Sequence, residues 1–185
     1  MQVRVIEKTI PEIESKINSI STDLSKISYM ESALKANLTF DIKRFLYDKL
    51  SELYLRKKMF DKAAISISKK IAITTTLKEK VQACIQSGEL FIKALKLFDA
   101  DYMFNKAILE SPTSEKEQIK IKQKNAILEE AEKIEMSGKK ASCIQLYEYL
   151  LKITPNNLER EQIKQKIIPI YKSLGKFSEA KALEE

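Results

Sequence analysis

Apolar residues recur at helical spacing along nearly the whole chain, and this periodicity restricts the chain to helical folds. The clearest stretch lies near residue 10, where apolar positions follow one another in alternating steps of three and four residues. They are Ile10, Ile13, Ile17, Ile20, Leu24 and Ile27. Such steps place the side chains on one stripe of a helix, as at the a and d positions of a heptad. We therefore predict a long N-terminal helix over about residues 10–37.

Helix-breaking residues are scarce in the rest of the chain. Only three glycines and four prolines occur among 185 residues. A β-sandwich or barrel needs turn residues at short, regular intervals, and most phosphate-binding loops need clustered glycines, so both are excluded. Because 44% of the residues are hydrophobic and 32% are charged, the chain can still bury a core. The predicted fold class is all-α.

Catalytic and metal-binding residue types are also scarce. Histidine is absent, and the two cysteines, Cys84 and Cys143, lie far apart. The common zinc sites and the Ser-His and Cys-His catalytic arrangements need residues that are missing here. We find no nucleophile–base spacing either. We therefore predict that the protein is not an enzyme and has no catalytic residue, no metal and no cofactor.

The cysteines and the N-terminal residues indicate where the protein is located. Two distant cysteines give no disulfide framework. Residues 1–8 lack the apolar stretch of a secretory signal, and no apolar run approaches the length of a membrane-spanning helix. We therefore expect a cytoplasmic protein without a membrane span.

After residue 40, the periodic pattern divides into pairs of helical segments. Gly138 and Gly175 are suited to end helices, and Pro112 and Pro155 prevent helices from continuing. Short connections between helices favour antiparallel hairpins. The predicted organisation is a heptad-patterned N-terminal segment at 1–40, followed by four hairpins at about residues 41–76, 77–113, 114–156 and 157–185.

The four hairpins share residue types at corresponding positions. A small residue opens each second helix, and these residues, Ala63, Ala100, Cys143 and Ala180, follow one another at intervals of 37, 43 and 37 residues. The fullest pattern lies in residues 81–113, with Gly88, Phe91, Ala100, Phe104, Ala107 and Pro112. In the other hairpins, the place of Phe91 is taken by Tyr54, Ile134 and Tyr171. With this pattern the hairpins resemble tetratricopeptide repeats (TPR), a family whose usual period is about 34 residues.

The resemblance implies a right-handed solenoid of antiparallel helix hairpins, with a concave surface lined by the first helix of each pair. The resemblance places on that surface Asp48, Glu52, Leu55, Gln82, Ile85, Glu89, Ile92, Asn125, Leu128, Glu132 and Glu135, followed by Gln162, Gln165 and Lys172. Five of these residues are acidic and one is basic. We therefore hypothesise a scaffold or adaptor whose concave surface binds a protein or peptide segment with basic and apolar side chains.

A basic cluster supports an alternative function. Residues 41–76 contain nine basic and four acidic residues, although the whole chain has a net charge of only +7. The cluster consists of Arg56, Lys57, Lys58, Lys62, Lys69 and Lys70. It is either a solvated helix face or a phosphate-contacting patch, and the second interpretation predicts an RNA- or ribosome-associated protein.

The first and the last predicted helices could each mediate self-association. The heptad stripe of the N-terminal helix suits either a coiled coil with a second copy or a cap that packs on the next hairpin. The last helix carries Phe177, Ala180 and Leu183 without a polar capping helix behind it. Because terminal repeats normally need a polar outer face, a second copy or a partner is expected to cover it.

Overall fold

A computed structural model describes residues 7–184, and the regular secondary structure in that range is entirely α-helical. The predicted all-α class is therefore confirmed. The helices are α1 (Ile10–Ser19), α2 (Asp23–Ala33), α3 (Phe40–Arg56), α4 (Phe60–Ile71), α5 (Leu77–Lys93), α6 (Leu97–Glu110), α7 (Thr113–Met136), α8 (Lys140–Ile153), α9 (Asn157–Ser173) and α10 (Phe177–Glu184).

The N-terminal segment contains two helices, so the prediction of one long helix over 10–37 is wrong. The backbone becomes extended at Ile20 and again at Thr22. The Thr22 hydroxyl then accepts a hydrogen bond from the backbone N–H of Ser25 and starts α2. A threonine followed by an acidic first turn is a strong helix start, and this local signal overrides the heptad pattern.

The break also divides the apolar stripe of the N-terminal segment. Ile13, Ile17 and Ile27 are buried within the same chain, whereas Leu24 is 70% exposed. The stripe therefore does not run continuously along residues 10–37. Burial inside the chain agrees with the expected cap on the next hairpin, and it leaves the segment without the unbroken seam that a coiled coil needs.

Helices α3 to α10 form four helix hairpins. Within each hairpin, the same kind of turn connects the two helices. Each turn has one residue with a positive φ angle, namely Lys58 (57°), Leu95 (58°), Gly138 (77°) and Gly175 (73°). In each turn, the next residue donates its backbone N–H to the carbonyl five positions earlier. This is the Schellman arrangement, which satisfies the last carbonyls of a helix and reverses the chain.

The residues that follow each turn bring the two helices of a hairpin together. Ala63, Ala100, Cys143 and Ala180 each stand five residues after the positive-φ residue, and each is at most 1% exposed. Their small side chains allow the paired helices to approach closely. The four small residues predicted by the sequence are therefore all buried.

The hairpins pack mainly against their neighbours along the chain. Consecutive helices from α3 to α10 contact one another, and α5 also contacts α7. The hydroxyl of Ser87 on α5 donates a hydrogen bond of 2.9 Å to the carbonyl of Ala64 on α4, and so joins the first two hairpins. Between residues 7 and 184, no helix combines the length and the apolar composition needed to cross a membrane.

Candidate functional site

Three depressions lie in a row along the face formed by α5, α7 and α9, and we call this row the α5–α7–α9 groove. Their volumes are about 600, 380 and 360 Å³. The first and second depressions share Gln118 and Lys122, and the second and third share Ile121 and Asn125. Because neighbouring depressions share lining residues, they form one continuous surface rather than three separate sites.

The outer two depressions of the groove have an apolar lining. Val81, Ile85 and Ile119 line the first depression, and Leu128 and Ile163 line the third. All five of these side chains are buried or half-buried in the core, so they form a fixed floor. Such a floor suits apolar side chains of a ligand, because burial releases water from both surfaces.

One large apolar side chain projects from the middle of the groove. Ile121 is 46% exposed and lines both the second and the third depression. Because Ile121 stays this exposed, its side chain contributes little hydrophobic stabilisation to the fold. Together with Leu77 of the first depression, which is 54% exposed, it offers apolar surface to a ligand.

Ion pairs join some of the charged residues along the groove, whereas others that line it, such as Glu129 and Glu130, form no ion pair with the described residues. Lys122 of α7 pairs with Glu89 of α5 at 3.4 Å. Lys124 of α7 pairs with Glu159 of α9 at 2.6 Å, and Lys166 of α9 pairs with Glu132 of α7. These pairs link the first helices of successive hairpins. Each is partly solvent-exposed, so it contributes more to alignment than to stability.

Four of the five acidic residues predicted for the concave surface have a side-chain partner in the structure. Asp48, Glu89 and Glu132 each pair with a lysine, and for Asp48 the partner is Lys70 at 2.6 Å. Glu135 accepts a hydrogen bond of 2.8 Å from the hydroxyl of Tyr147. A pattern read along one helix cannot reveal these partners, because they come from other helices.

The structure brings only part of the predicted surface into the groove. Among the predicted residues, those that line it are Gln82, Ile85, Glu89, Asn125, Leu128 and Gln162. Ile92 is fully buried, so its assignment to the concave surface is wrong: it faces the core rather than a ligand. The predicted residues outside the three depressions are Asp48, Glu52, Leu55, Glu132, Glu135, Gln165 and Lys172.

The predicted basic cluster divides into parts with different surroundings. Lys57 pairs with Asp23 at 3.1 Å, and this hydrogen-bonded contact lowers the pKa of Asp23. Lys70 pairs with Asp48, as described above. Arg56 and Lys58 are exposed at the α3–α4 turn. The cluster is therefore not one uniform patch, because carboxylates neutralise two of its six members.

The remaining members of the cluster, Lys62 and Lys69, line a separate depression between α2, α3 and α4. Its volume is about 480 Å³, and we call it the lysine depression. A third lysine, Lys35 at the end of α2, lines it as well. Sequence analysis missed Lys35, because it lies 27 residues before Lys62 and carries no motif of its own.

The cysteines do not have the properties of reactive thiols. Both are buried, and burial raises the pKa of Cys84 to about 11 and also raises the pKa of Cys143. A thiol with a raised pKa is a poor nucleophile near neutral pH. Across residues 7–184, the structure forms no cluster of three cysteine or carboxylate side chains suited to a metal ion.

Helix α10 leaves apolar surface exposed at its start. Phe177 is 66% exposed, whereas Ala180 is buried against the rest of the hairpin. The expected covering of this surface by a second copy or a partner stays a prediction.

No protein-family model matches this chain, and no curated protein matches it in sequence. The class of protein therefore follows from the structure. It is an all-α chain whose described helices include four successive hairpins, each with the same type of turn between its two helices.

Proposed function

We propose that this chain is a non-enzymatic interaction scaffold that binds a protein segment in the α5–α7–α9 groove. The observation that carries the proposal is the row of three depressions with shared lining residues. A continuous surface across three hairpins fits an extended or helical segment better than a small molecule. We also propose that the hairpins form a right-handed TPR-like solenoid, because their turns repeat the same geometry.

The pairing of charges changes the kind of segment expected. The sequence hypothesis required carboxylates that select basic side chains. In the groove, Glu89 and Glu159 already have lysine partners, so a basic ligand gains less from them. We therefore favour a segment that is mainly apolar, with large side chains placed in the first and third depressions.

The RNA- or ribosome-associated alternative has less support from the structure than from the sequence. Lys57 and Lys70 each have a carboxylate within ion-pair distance, and this lowers the free charge of the cluster.

The test is a selection of peptides that bind the full chain, followed by affinity measurements with two matched variants. Ile121→Glu places a charge on the exposed isoleucine shared by two depressions. Leu109→Glu, the control, places the same charge on α6, where Leu109 is 78% exposed and outside the groove. Loss of one buried large apolar contact predicts that Ile121→Glu weakens binding by about tenfold or more, while Leu109→Glu leaves it unchanged.

Two results would contradict the proposal. One is a set of selected peptides that bind both variants as well as the unaltered chain. The other is a selection that yields no binding peptide at all. Circular dichroism of both variants checks that each retains its helices, so that loss of binding is not loss of folding.

A further inference from the structure

The lysine depression is built from one face of each of three helical segments. Helix α4 contributes Lys62, Ile65, Ser66 and Lys69, whose spacing of three, one and three residues places them on one face. Helix α3 contributes Tyr47, Leu50 and Tyr54, and the end of α2 contributes Glu31, Leu34 and Lys35. Both α2 and α4 pack on α3, and the depression is the space between them.

The positive charge of this depression is not balanced within the described part of the chain. Lys35, Lys62 and Lys69 form no ion pair with residues 7–184. Glu31 is the single carboxylate among the lining residues, and its Oε1 accepts a hydrogen bond of 2.5 Å from the hydroxyl of Tyr54. Three lysines around one depression repel one another, and an anion placed between them relieves that repulsion.

The depression also holds apolar surface and a positioned lysine. Leu34 and Ile65 lie beside the lysines, and Ile65 is 37% exposed. The ammonium of Lys62 lies 5.8 Å from the centre of the Tyr54 ring, and this contact limits where Lys62 can move. A ligand that combines an anionic head with an apolar body matches both features.

We propose that the lysine depression binds a phosphate monoester carried on an aromatic ring, as in a phosphotyrosine side chain of a partner protein. The lysines would contact the phosphate oxygens, and Leu34 and Ile65 would contact the ring. A nucleic-acid strand fits less well: Tyr54 is only 3% exposed, so of the two tyrosines in the depression only the half-buried Tyr47 offers part of a ring face to a base. This site is separate from the α5–α7–α9 groove, and its test does not depend on that proposal.

The experiment is a nuclear magnetic resonance titration of the isotope-labelled full chain with phenyl phosphate. Parallel titrations use inorganic phosphate, phenol and a uridine oligonucleotide. They test the phosphate alone, the aromatic ring alone and a nucleic-acid strand, respectively. The expected result is that phenyl phosphate shifts the amide signals of residues near Lys35, Lys62 and Lys69. Phenyl phosphate should bind about tenfold more tightly than inorganic phosphate or phenol, since each of these two compounds makes only part of the contacts.

Neutral variants of the lysines localise the site. Lys35→Gln, Lys62→Gln and Lys69→Gln should each weaken phenyl phosphate binding by about fivefold to tenfold, because each removes a charge-assisted contact. Lys57→Gln is the matched control, because Lys57 belongs to the same sequence cluster but pairs with Asp23 outside the depression. It should leave the affinity unchanged.

The proposal is overturned if phenyl phosphate produces no shifts in the depression, or if Lys57→Gln weakens binding as much as Lys62→Gln. It is also overturned if the oligonucleotide binds there more tightly than phenyl phosphate, since that identifies a nucleic-acid surface instead. The amide spectra of the variants show in the same experiment whether each remains folded.

Discussion

The hydroxyl of Tyr54 on α3 donates a hydrogen bond of 2.5 Å to Glu31, which lies 23 residues earlier on α2. Tyr171 on α9 makes the same contact with Glu148 on α8, again across 23 residues. In both cases a buried aromatic ring is tied to a carboxylate on the preceding helix. The contact therefore recurs with the hairpins, and it holds the first helix of one pair against the helix before it.

The other two hairpins lack both members of this pair. Phe91 and Ile134 occupy the places of the two tyrosines, and neither has a hydroxyl. The residues 23 positions earlier are Ser68 and Ser111, and neither has a carboxylate. The hydroxyl and the carboxylate thus occur together or not at all, as expected when each satisfies the other.

Removal of this hydroxyl should lower stability modestly. We expect Tyr54→Phe to reduce the free energy of unfolding by about 1 kcal/mol, because it removes one hydrogen bond to a charged group and leaves the ring in place. Urea denaturation measures the change. Tyr102→Phe is the control, because Tyr102 is 61% exposed and its hydroxyl faces water. Equal effects in the two variants would show that the contact with Glu31 contributes nothing.

Stability should decrease in alkaline solution. Burial, assisted by neighbouring carboxylates, raises the pKa of Tyr54, Tyr147 and Tyr171 above the ordinary value of 10.0. These hydroxyls stay protonated in the folded chain at a pH where the unfolded chain loses the protons. The contribution to stability is therefore complete below about pH 10 and decreases as the pH rises beyond it.

Urea denaturation at about pH 8 and about pH 11 measures this loss. The double variant Tyr54→Phe with Tyr171→Phe should lose less stability between the two conditions, because two of the titrating groups are gone. If the variant and the unaltered chain show the same decrease, then lysine deprotonation rather than tyrosine ionisation governs the alkaline behaviour.

Gly88 allows α5 and α6 to pack closely. A Cβ atom at this position would lie 2.6 Å from Cε2 of Phe104, a ring that is fully buried. We expect Gly88→Ala to destabilise the chain by about 1–3 kcal/mol through overpacking, despite the higher helix propensity of alanine. Thermal and urea denaturation measure the change.

A second variant tests this explanation. Phe104→Leu should recover part of the stability lost in Gly88→Ala, although Phe104→Leu alone is destabilising. If the two losses simply add, the contact between position 88 and the Phe104 ring is not the cause.

The start of α2 should depend on one hydroxyl. We expect Thr22→Ala to lower stability by about 1 kcal/mol, because the backbone N–H of Ser25 loses its partner. Thr39→Ala is a matched control, because Thr39 stands at the start of α3 without a capping hydrogen bond from its side chain. A larger loss in Thr39→Ala than in Thr22→Ala would contradict the assigned role of the cap.

Local patterns predicted much of the fold. Helical spacing predicted the all-α class, and the glycines at 138 and 175 marked turns that the structure contains. The small residues Ala63 and Cys143, which were predicted to lie between paired helices, are fully buried. These features depend on residues a few positions apart, so a single sequence contains the information that determines them.

Tertiary structure decided the features that depend on distant residues. The sequence predicts Glu89 as part of an acidic surface, but in the structure it pairs with Lys122, which lies 33 residues later. Lys35 and Lys62 line the same depression because α2 and α4 pack on the same helix. Periodicity shows which face of a helix is apolar, but the partner of each charged side chain follows from how whole helices pack. The sequence alone therefore determined the helices and their turns, and the packing determined which charges are paired and which remain available to a ligand.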